Sequence, residues 1–289
     1  MKKNFGEIVL PFFGYLSILI LIGIIVIIFS EGLPLFRAYS LKEIILGKEW
    51  RPTQEPPLFG FIPSIISTIY IAVFSMLIAV PISLGSAIYL SKVAPPTLRA
   101  VLKPTIELLG NIPSVIYGIF ALMFLGPLLQ KIFNLPIGLT GLNASITLAI
   151  MTIPTITTLS EDVLSMTPKE TELASYALGA SHLETIFGIS LPYAYPGIFS
   201  SISAGFGRAI GETMAVLLAS GNSIRIPTSI LQPMRPITAT IALEMAETPV
   251  YSLHYNALFA LAIVLLIFVL VFNLFSRYLK NQYKKRIYG

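Results

Sequence analysis

The sequence contains no cysteine, so neither a disulfide nor a thiolate-bound metal can stabilise the fold. Charged residues make up only 11% of its 289 residues, whereas soluble domains contain about 25%. Its two histidines, His182 and His254, lie far apart in the chain and predict no metal site. No G-x-x-x-x-G-K-S/T motif occurs, so the chain has no loop of its own for nucleotide phosphates. The sequence shows no group of residues that could act together as nucleophile, base and acid. We therefore expect neither an enzyme nor a bound cofactor.

Hydrophobic residues account for 55% of the chain and occur in several long blocks, which indicates a protein that crosses a membrane repeatedly. A spanning helix needs about 20 mostly apolar residues, because its backbone groups must bond to one another in lipid. The first block is longer than the roughly 7–15 apolar residues of a signal peptide, and we expect it to be retained. The sequence predicts an all-α integral membrane protein with six transmembrane helices: Pro11–Phe29, Ile62–Leu90, Ile106–Leu129, Leu142–Leu159, Gly197–Ala219 and Asn256–Phe275.

The distribution of Lys and Arg predicts that both termini are cytoplasmic. Eleven of these residues lie in the termini and in the loops on the same side, against seven in the longer loops of the other side. Cytoplasmic loops carry such an excess, so the net charge of +5 needs no nucleic acid to explain it. The predicted organisation is a cytoplasmic N-terminus (1–10), a first helix (11–29), an external loop (30–61), a core of five further helices (62–276) and a basic cytoplasmic tail (277–289).

The loop between the fourth and fifth predicted helices, residues 161–192, differs from the others. Residues 167–170 and 181–184 both have the form of a capping box, which marks the start of a helix, and Gly179 between them is typical of a helix end. We therefore predict two short helices joined by a tight turn, which we call the elbow. Its apolar face needs a partner, either the ends of the protein's own helices or another protein.

Two charged residues, Arg208 and Glu212, interrupt the apolar stretch ISAGFGRAIGETMAVLLASG. A charge at the bilayer centre costs about 2.5–3.5 kcal/mol, and residues four apart on a helix are neighbours that can pair. Two interpretations remain open. The pair is a structural salt bridge that fixes helix packing, or Arg208 lines a path for an anion while Glu212 holds it in place.

Three further residues belong to this region of interest. Gly207 and Gly211 form a small-residue ridge that predicts close packing against another helix. Glu107 opens the third predicted helix and is a second candidate for the path. A carboxylate in the first turn of a helix is also favoured by the helix dipole. The alternative that Glu107 only stabilises the start of its helix therefore remains open beside a role in the path.

The elbow loop fits the pattern G-x9-I-x-L-P from Gly179 to Pro192, and it resembles the EAA loop of ATP-binding-cassette importer permeases. In that family the loop forms coupling helices that dock on the ATPase subunit. One departure concerns the acid: Leu173 occupies the position of the family's Glu, and Glu172 lies one place early. A salt bridge to the ATPase would then come from a shifted position or be absent. The resemblance implies a coupling role for Glu172, Ala174, Gly179, Ile189 and Pro192.

Two more stretches, ELLGNIPSVIYG and GRAIGETMAV, resemble the phosphate-specific transport permeases, and the continuation GETMAV resembles their PstC-type subunit. The resemblance implies a permease subunit of a phosphate importer in a prokaryotic plasma membrane. It implies as partners a related PstA-like permease, two ATP-binding ATPase subunits and an external phosphate-binding protein. The alternatives are a permease for another oxyanion such as molybdate or sulfate, a proton-coupled secondary transporter using Glu212 or Glu107, and a scaffold without a path.

Overall fold

The structure is a computed structural model that describes the backbone of residues 5–288 and the side chains of residues 11–282. The predicted N-terminal segment (1–10) and the last basic side chains of the tail therefore lie outside the described side chains. In chain order the helices are α1 (Phe5–Ala38), α2 (Leu41–Leu46), α3 (Ile62–Ile88), α4 (Pro96–Gly110), α5 (Ser114–Phe120), α6 (Gly126–Ile132), α7 (Gly141–Ser165), α8 (Lys169–Ala177), α9 (His182–Thr185), α10 (Leu191–Gly211), α11 (Met214–Ala219), α12 (Ile237–Glu244) and α13 (Leu253–Tyr288).

The described residues also contain three π-helical turns. The first prolongs α3, the second joins α5 to α6, and the third joins α9 to α10: Tyr89–Val93, Ala121–Leu125 and Ile186–Ser190. The chain divides into two compact units. One, the N-terminal unit, comprises the residues up to Ile62 with Thr240–Ile267, and the other, the central unit, comprises Pro63–Ala239 with the residues from Phe268 onward.

The N-terminal unit is built around a single buried tryptophan. Trp50 lies in β1 (Trp50–Arg51), which pairs antiparallel with β2 (Leu58–Phe59), a ribbon that the sequence did not predict. Its indole N–H donates to the carboxylate of Glu244, which also bonds His254 at 2.8 Å. Part of the external loop forms the short helix α2, where Ser40 and Glu43 make a capping box. His254 thus has a structural hydrogen-bond partner in this unit.

The central unit is built on the packing of α7 against α10. The two helices approach closely at Gly197 and Gly205, which have no side chain. A Cβ on Gly205 would lie 2.5 Å from Ile156, and a Cβ on Gly197 would overlap Val163. Small residues of this kind let helix backbones approach. The buried side chains between them and their neighbours form one apolar core: Ile71, Met76, Ala79, Ala121, Ala144, Leu148, Ala149, Ile156, Ala209, Val216, Ala219 and Met234.

Within the described residues, five helices are long and apolar enough to cross a membrane: Pro11–Ala38, Ile62–Val93, Ser114–Ile132, Gly141–Ser165 and Leu253–Gln282. The all-α membrane architecture predicted from the sequence is confirmed. The predicted fifth span, Gly197–Ala219, is not among the five. Its place is taken by α10, which has 21 residues but carries Arg208 and several Ser and Gly residues, and by the separate α11.

The third predicted span has wrong boundaries for a local reason. Residues 106–110 end α4, and a new helix begins only at Ser114, after a break at residues 111–113. Pro113 has no N–H to donate, and it keeps the residue before it out of the helical conformation. The apolar run in the sequence therefore hides two helices that meet at this proline.

Candidate functional site

Arg208 lies in the last turn of α10, where it reaches two neighbouring helices. One guanidinium nitrogen donates to the hydroxyl of Thr155 on α7 at 2.8 Å. A second donates to the carbonyl of Gly110, the last residue of α4, at 3.3 Å. The last carbonyls of a helix have no partner within it and carry partial negative charge, so they favour a cation. Arg208 is thus held in position by neutral oxygen atoms.

No carboxylate forms an ion pair with Arg208 among the residues that the structure describes. A guanidinium has five N–H donors, and two of them are used by Thr155 and Gly110. Three donors are left without an acceptor from the described part of this chain. The charge of Arg208 therefore stays uncompensated and half-buried in an apolar protein, and such a group attracts an anion.

The expected pairing of Arg208 with Glu212 is wrong in its geometry. The helix ends at Gly211, and Glu212 has an extended backbone with φ −70° and ψ 131°. Its carboxylate accepts the backbone N–H of Ala215 at 3.2 Å, so it caps α11 instead. The hydroxyl of Thr238 donates to the backbone carbonyl of Glu212 at 2.9 Å and stabilises the backbone at this helix break. The neighbour relation of residues four apart fails because the helix does not continue between them.

Glu107 occupies a different local position from the one predicted. It lies near the C-terminal end of α4 and is exposed, so the helix dipole does not favour its negative charge. Glu107 lies with Arg99 and Lys103 on one face of α4, spaced four residues apart. These three charged residues line a groove of about 450 Å³. The groove runs along the helix that ends at the carbonyl bonded by Arg208.

The groove leads to an ion-pair cluster that sequence reasoning missed. The Glu161 carboxylate of α7, 1% exposed, pairs with Arg99 and, at 2.7 Å, with Lys103. Lys103 also pairs with Asp162 at 2.6 Å, and Ser165 donates to Glu161 at 2.9 Å. Glu161 lies about 60 positions from Arg99 and Lys103 in the chain, so no local sequence pattern predicts that they pair. Since α4 has no buried side chain, this cluster and Arg208 are its polar attachments to α7 and α10.

The ion-pair cluster raises the pKa of the Lys103 amine. Burial alone would lower the pKa of Lys103, but its hydrogen bonds to Asp162 and Glu161 and their negative charges outweigh it, and the pKa is raised above 10.5. A raised pKa means that the stabilisation is fully present below 10.5 and is lost only as the pH rises through the higher folded value. The pairs of Lys103 are therefore intact at physiological pH.

The elbow forms as α8 and α9. Gly179, with φ +89°, ends α8, and the N–H groups of residues 179 and 180 donate back to Tyr176 and Ser175 in a Schellman arrangement. The second predicted capping box is present, since Glu184 accepts the N–H of Ser181 at 2.7 Å. The first one is absent: α8 begins after Pro168, and no side chain caps it.

The elbow exposes an apolar surface and turns its acid inward. Leu173 is 64% and Leu178 is 90% exposed, and Ala174 is exposed beside them. Glu172 faces the other way, where Lys92 donates to it at 2.5 Å and Ser190 at 2.7 Å. The predicted coupling residues Ile189 and Pro192 are half-buried. Ile189 lies in the π-helical turn before α10, and Pro192 lies in the first turn of α10.

The partners of Glu172 decide its charge state. Burial alone would raise the pKa of this carboxyl, but the hydrogen bonds from Lys92 and Ser190 and the positive charge of Lys92 outweigh it, and the pKa lies below the usual 4.5. A lowered pKa means that the stabilisation is present above 4.5 and is lost as the pH falls through the folded value. Glu172 is therefore charged at neutral pH.

Gly179 provides a test of the elbow's local structure. A Cβ at this position meets no atom within 4 Å, so the strain of a substitution comes only from the positive φ, about 1–2 kcal/mol for an L-residue. We expect Gly179→Val to speed amide hydrogen exchange in α8 by about five- to thirtyfold. Gly179→Asn is the matched control, because Asn tolerates this conformation. Equal exchange in both variants would contradict the strain argument.

The two glycines of the predicted ridge, Gly207 and Gly211, do not pack closely against another helix within the part of the chain that the structure describes. A Cβ on Gly207 or Gly211 would meet no described atom within 4 Å, whereas Gly197 and Gly205 make the close contact with α7. The surface beside Arg208 is therefore open on the side of Gly207 and Gly211 in the single chain.

The chain matches the family described as binding-protein-dependent transport system inner membrane component over residues 79–285. This match covers well over half of its length, so the chain belongs to that family. The probable ABC transporter permease protein YqgH of Bacillus subtilis is 32% identical over 281 residues, 96% of this chain and 91% of that protein. A phosphate transport system permease protein PstC is 32% identical in Mesorhizobium japonicum, over 91% of this chain and 85% of that one. Another PstC, from Xylella fastidiosa, is 36% identical, over 76% and 72%.

Solved structures share the fold. A bacterial alginate ABC transporter, crystallised with an alginate-bound periplasmic protein, has a chain that superposes with a TM-score of 0.64 and 15% identity over 99% of this chain and 98% of its own. An inward-facing methionine ABC transporter superposes with a TM-score of 0.60 and 16% identity over 75% and 93%. The protein is thus a membrane-embedded, multi-pass transport component, and the relatives named above are permease proteins rather than enzymes.

Proposed function

We propose that this chain is the permease subunit of an ATP-driven phosphate importer and forms half of its translocation path. The observation that carries the proposal is Arg208, a half-buried cation that is held by two neutral oxygens and has three N–H donors without an acceptor in the described part of the chain. The planar guanidinium matches phosphate oxygens well. The names of the PstC relatives support phosphate as the anion.

In this proposal the path follows the open side of α10 and α4. Arg208 meets the anion, and Glu212, at the helix break beside it, limits how tightly the anion binds. Glu107 lines the groove along α4. Gly207 and Gly211 leave room for a helix of a second, PstA-like permease subunit, which would close the other half of the path.

The energy source in this proposal is a separate pair of ATPase subunits. Both termini, the basic tail (277–289) and the elbow are assigned to the cytoplasm of a prokaryotic cell by the positive-inside rule. The first helix, predicted at 11–29 and continuing as α1 to Ala38, and the rest of the predicted external loop (30–61) precede the permease core (62–276). An external phosphate-binding protein delivers the anion, and the exposed apolar elbow surface docks on the ATPases through α8. Closure of the ATPases then moves the elbow and alternates access to Arg208.

Reconstitution tests this function directly. The chain is co-purified with the second permease and the ATPases, inserted into vesicles, and supplied with a phosphate-loaded binding protein. We expect radiolabelled phosphate uptake that requires ATP, with little uptake of sulfate or molybdate. Preference for another oxyanion would reassign the substrate. Uptake driven by a proton gradient without ATP, or by this chain alone, would contradict the proposal.

A further inference from the structure

Glu172 is bonded at once to the end of the second candidate span, α3, and to the start of α10. Lys92, its first partner, lies in the π-helical turn that prolongs α3. Ser190, its second partner, is the last residue of the π-helical turn that leads into α10. Both bonds reach the same carboxylate oxygen, Oε1. The first helix of the elbow is thereby fixed to the second span and to α10 by one side chain.

The pair is shielded from water, which strengthens it. The Lys92 side chain is 9% exposed and the Glu172 side chain is 19% exposed. A salt bridge at a fully exposed site contributes little, because water and salt screen it. A shielded pair with an additional hydroxyl donor is a charge-assisted cluster of fixed geometry. Its loss leaves a charge without a partner in a poorly hydrated place.

A second set of bonds joins the other elbow helix to the same turn. The Nε2 atom of His182, in α9, lies 3.0 Å from the carbonyl oxygen of Lys92. A carbonyl only accepts, so Nε2 carries a proton and donates it, and Nδ1 is hydrogen-bonded to the hydroxyl of Tyr176 on α8 at 2.9 Å. Both elbow helices therefore bond to Lys92, one through its side chain and one through its backbone.

The position of the acid follows from helix geometry. One residue along an α-helix is a rotation of about 100°, so residues 172 and 173 point to different sides of α8. Glu172 points to the ends of α3 and α10, and Leu173 points outward with 64% of its surface exposed. The shift of the acid by one place turns it from the outer surface of the elbow to its inner surface.

We propose that Lys92, Glu172 and Ser190 form the connection through which movement of the elbow reaches the second span and α10, and that Glu172 is a positioning residue that does not contact the ATPase. This proposal rests on the importer function proposed above. The ATPase then meets an apolar elbow surface that contains Leu173 and Leu178. The shielded Lys92–Glu172 pair makes the elbow and the two helix ends move as one body.

The test uses the complete reconstituted complex with Lys92→Met, Glu172→Gln and Ser190→Ala. Glu170→Gln is the matched control, because Glu170 is an exposed carboxylate on the same helix. We expect Lys92→Met and Glu172→Gln to retain the ATPases and hydrolyse ATP, while phosphate uptake per ATP falls by about tenfold. Ser190→Ala, the mildest change, should show a smaller loss. The control should behave as wild type.

The charge-exchanged double variant Lys92→Glu with Glu172→Lys separates a pairing effect from two independent ones. We expect it to recover most of the lost uptake per ATP. Loss of the ATPases in Glu172→Gln but not in Lys92→Met would show that Glu172 contacts the ATPase and would overturn the proposal. The proposal would also be overturned if Lys92→Met and Glu172→Gln both took up as much phosphate per ATP as the control Glu170→Gln.

Failure of the importer function is distinguishable from failure of this connection. If the wild-type complex takes up no phosphate, the proposed function is wrong, and the connection is then judged by amide hydrogen exchange of residues 169–190. We expect faster exchange there in Lys92→Met than in Glu170→Gln. Identical exchange in the two variants would refute the connection by itself.

Discussion

Replacing Arg208 with Gln should reduce phosphate uptake by about ten- to a hundredfold while the complex still assembles. A hydrogen bond from a charged group contributes about 1.5–3 kcal/mol, and each 1.4 kcal/mol is a factor of ten. Gln retains a donor for Thr155 or Gly110, so the packing of α10 should survive. The positive charge that attracts the anion is lost. The measurement is ATP-dependent uptake by vesicles that contain equal amounts of assembled complex.

Two companion variants make this result specific. Arg225→Gln removes an exposed positive charge elsewhere in the chain and should leave uptake nearly unchanged. Thr155→Val keeps the charge of Arg208 but removes one of its two acceptors, so we expect an intermediate loss. Unchanged uptake in Arg208→Gln would remove Arg208 from the path. An equal loss in Arg225→Gln would point to a general effect of charge.

Replacing Glu161 with Gln should loosen α4 from α7. Glu161 is the buried centre of the cluster, and its removal leaves Arg99 and Lys103 without their shared partner. Breaking a buried pair by removing one member costs about 3–5 kcal/mol, and the lower end applies here because the two cations are partly exposed. Amide hydrogen exchange in residues 96–110 should therefore accelerate by about a hundredfold.

Asp162→Asn is the matched control for this prediction. Asp162 bonds the same lysine, but its side chain is 46% exposed, and a pair of this kind contributes about 1 kcal/mol or less. We expect only a slight acceleration of exchange in α4. Since α4 has no buried side chain, similar small effects in both variants would mean that the cluster does not hold this helix.

Local signals in the sequence predicted those parts of the structure that depend on near neighbours. Gly179 ends α8 with a positive φ, and Ser181 and Glu184 cap α9, as their spacing indicated. Turns and caps are decided by hydrogen bonds within a few residues, and such signals are readable in one sequence. The capping box predicted before α8 is absent because α8 begins after Pro168, one residue later than that pattern requires, and the Thr167 hydroxyl donates to the carbonyl of Leu164 instead.

Contacts between distant residues could not be predicted in this way. Glu161 meets Arg99 and Lys103 from about 60 residues away, and the sequence marks none of the three as a partner of the others. Likewise, Thr238 bonds the carbonyl of Glu212 at the helix break, which separates Glu212 from Arg208. A helical projection places residues four apart together only if the helix is continuous.

The composition and the periodic apolar blocks determined that this chain is a helical membrane protein, because lipid leaves the backbone almost no alternative. The same sequence placed a cation at Arg208 and an elbow between two spans. Only the tertiary structure decided which atoms surround them: neutral oxygens around Arg208, and Lys92 with Ser190 around Glu172. Those partners are supplied by other helices, and the position of one helix against another depends on packing across the whole unit rather than on any local stretch of residues.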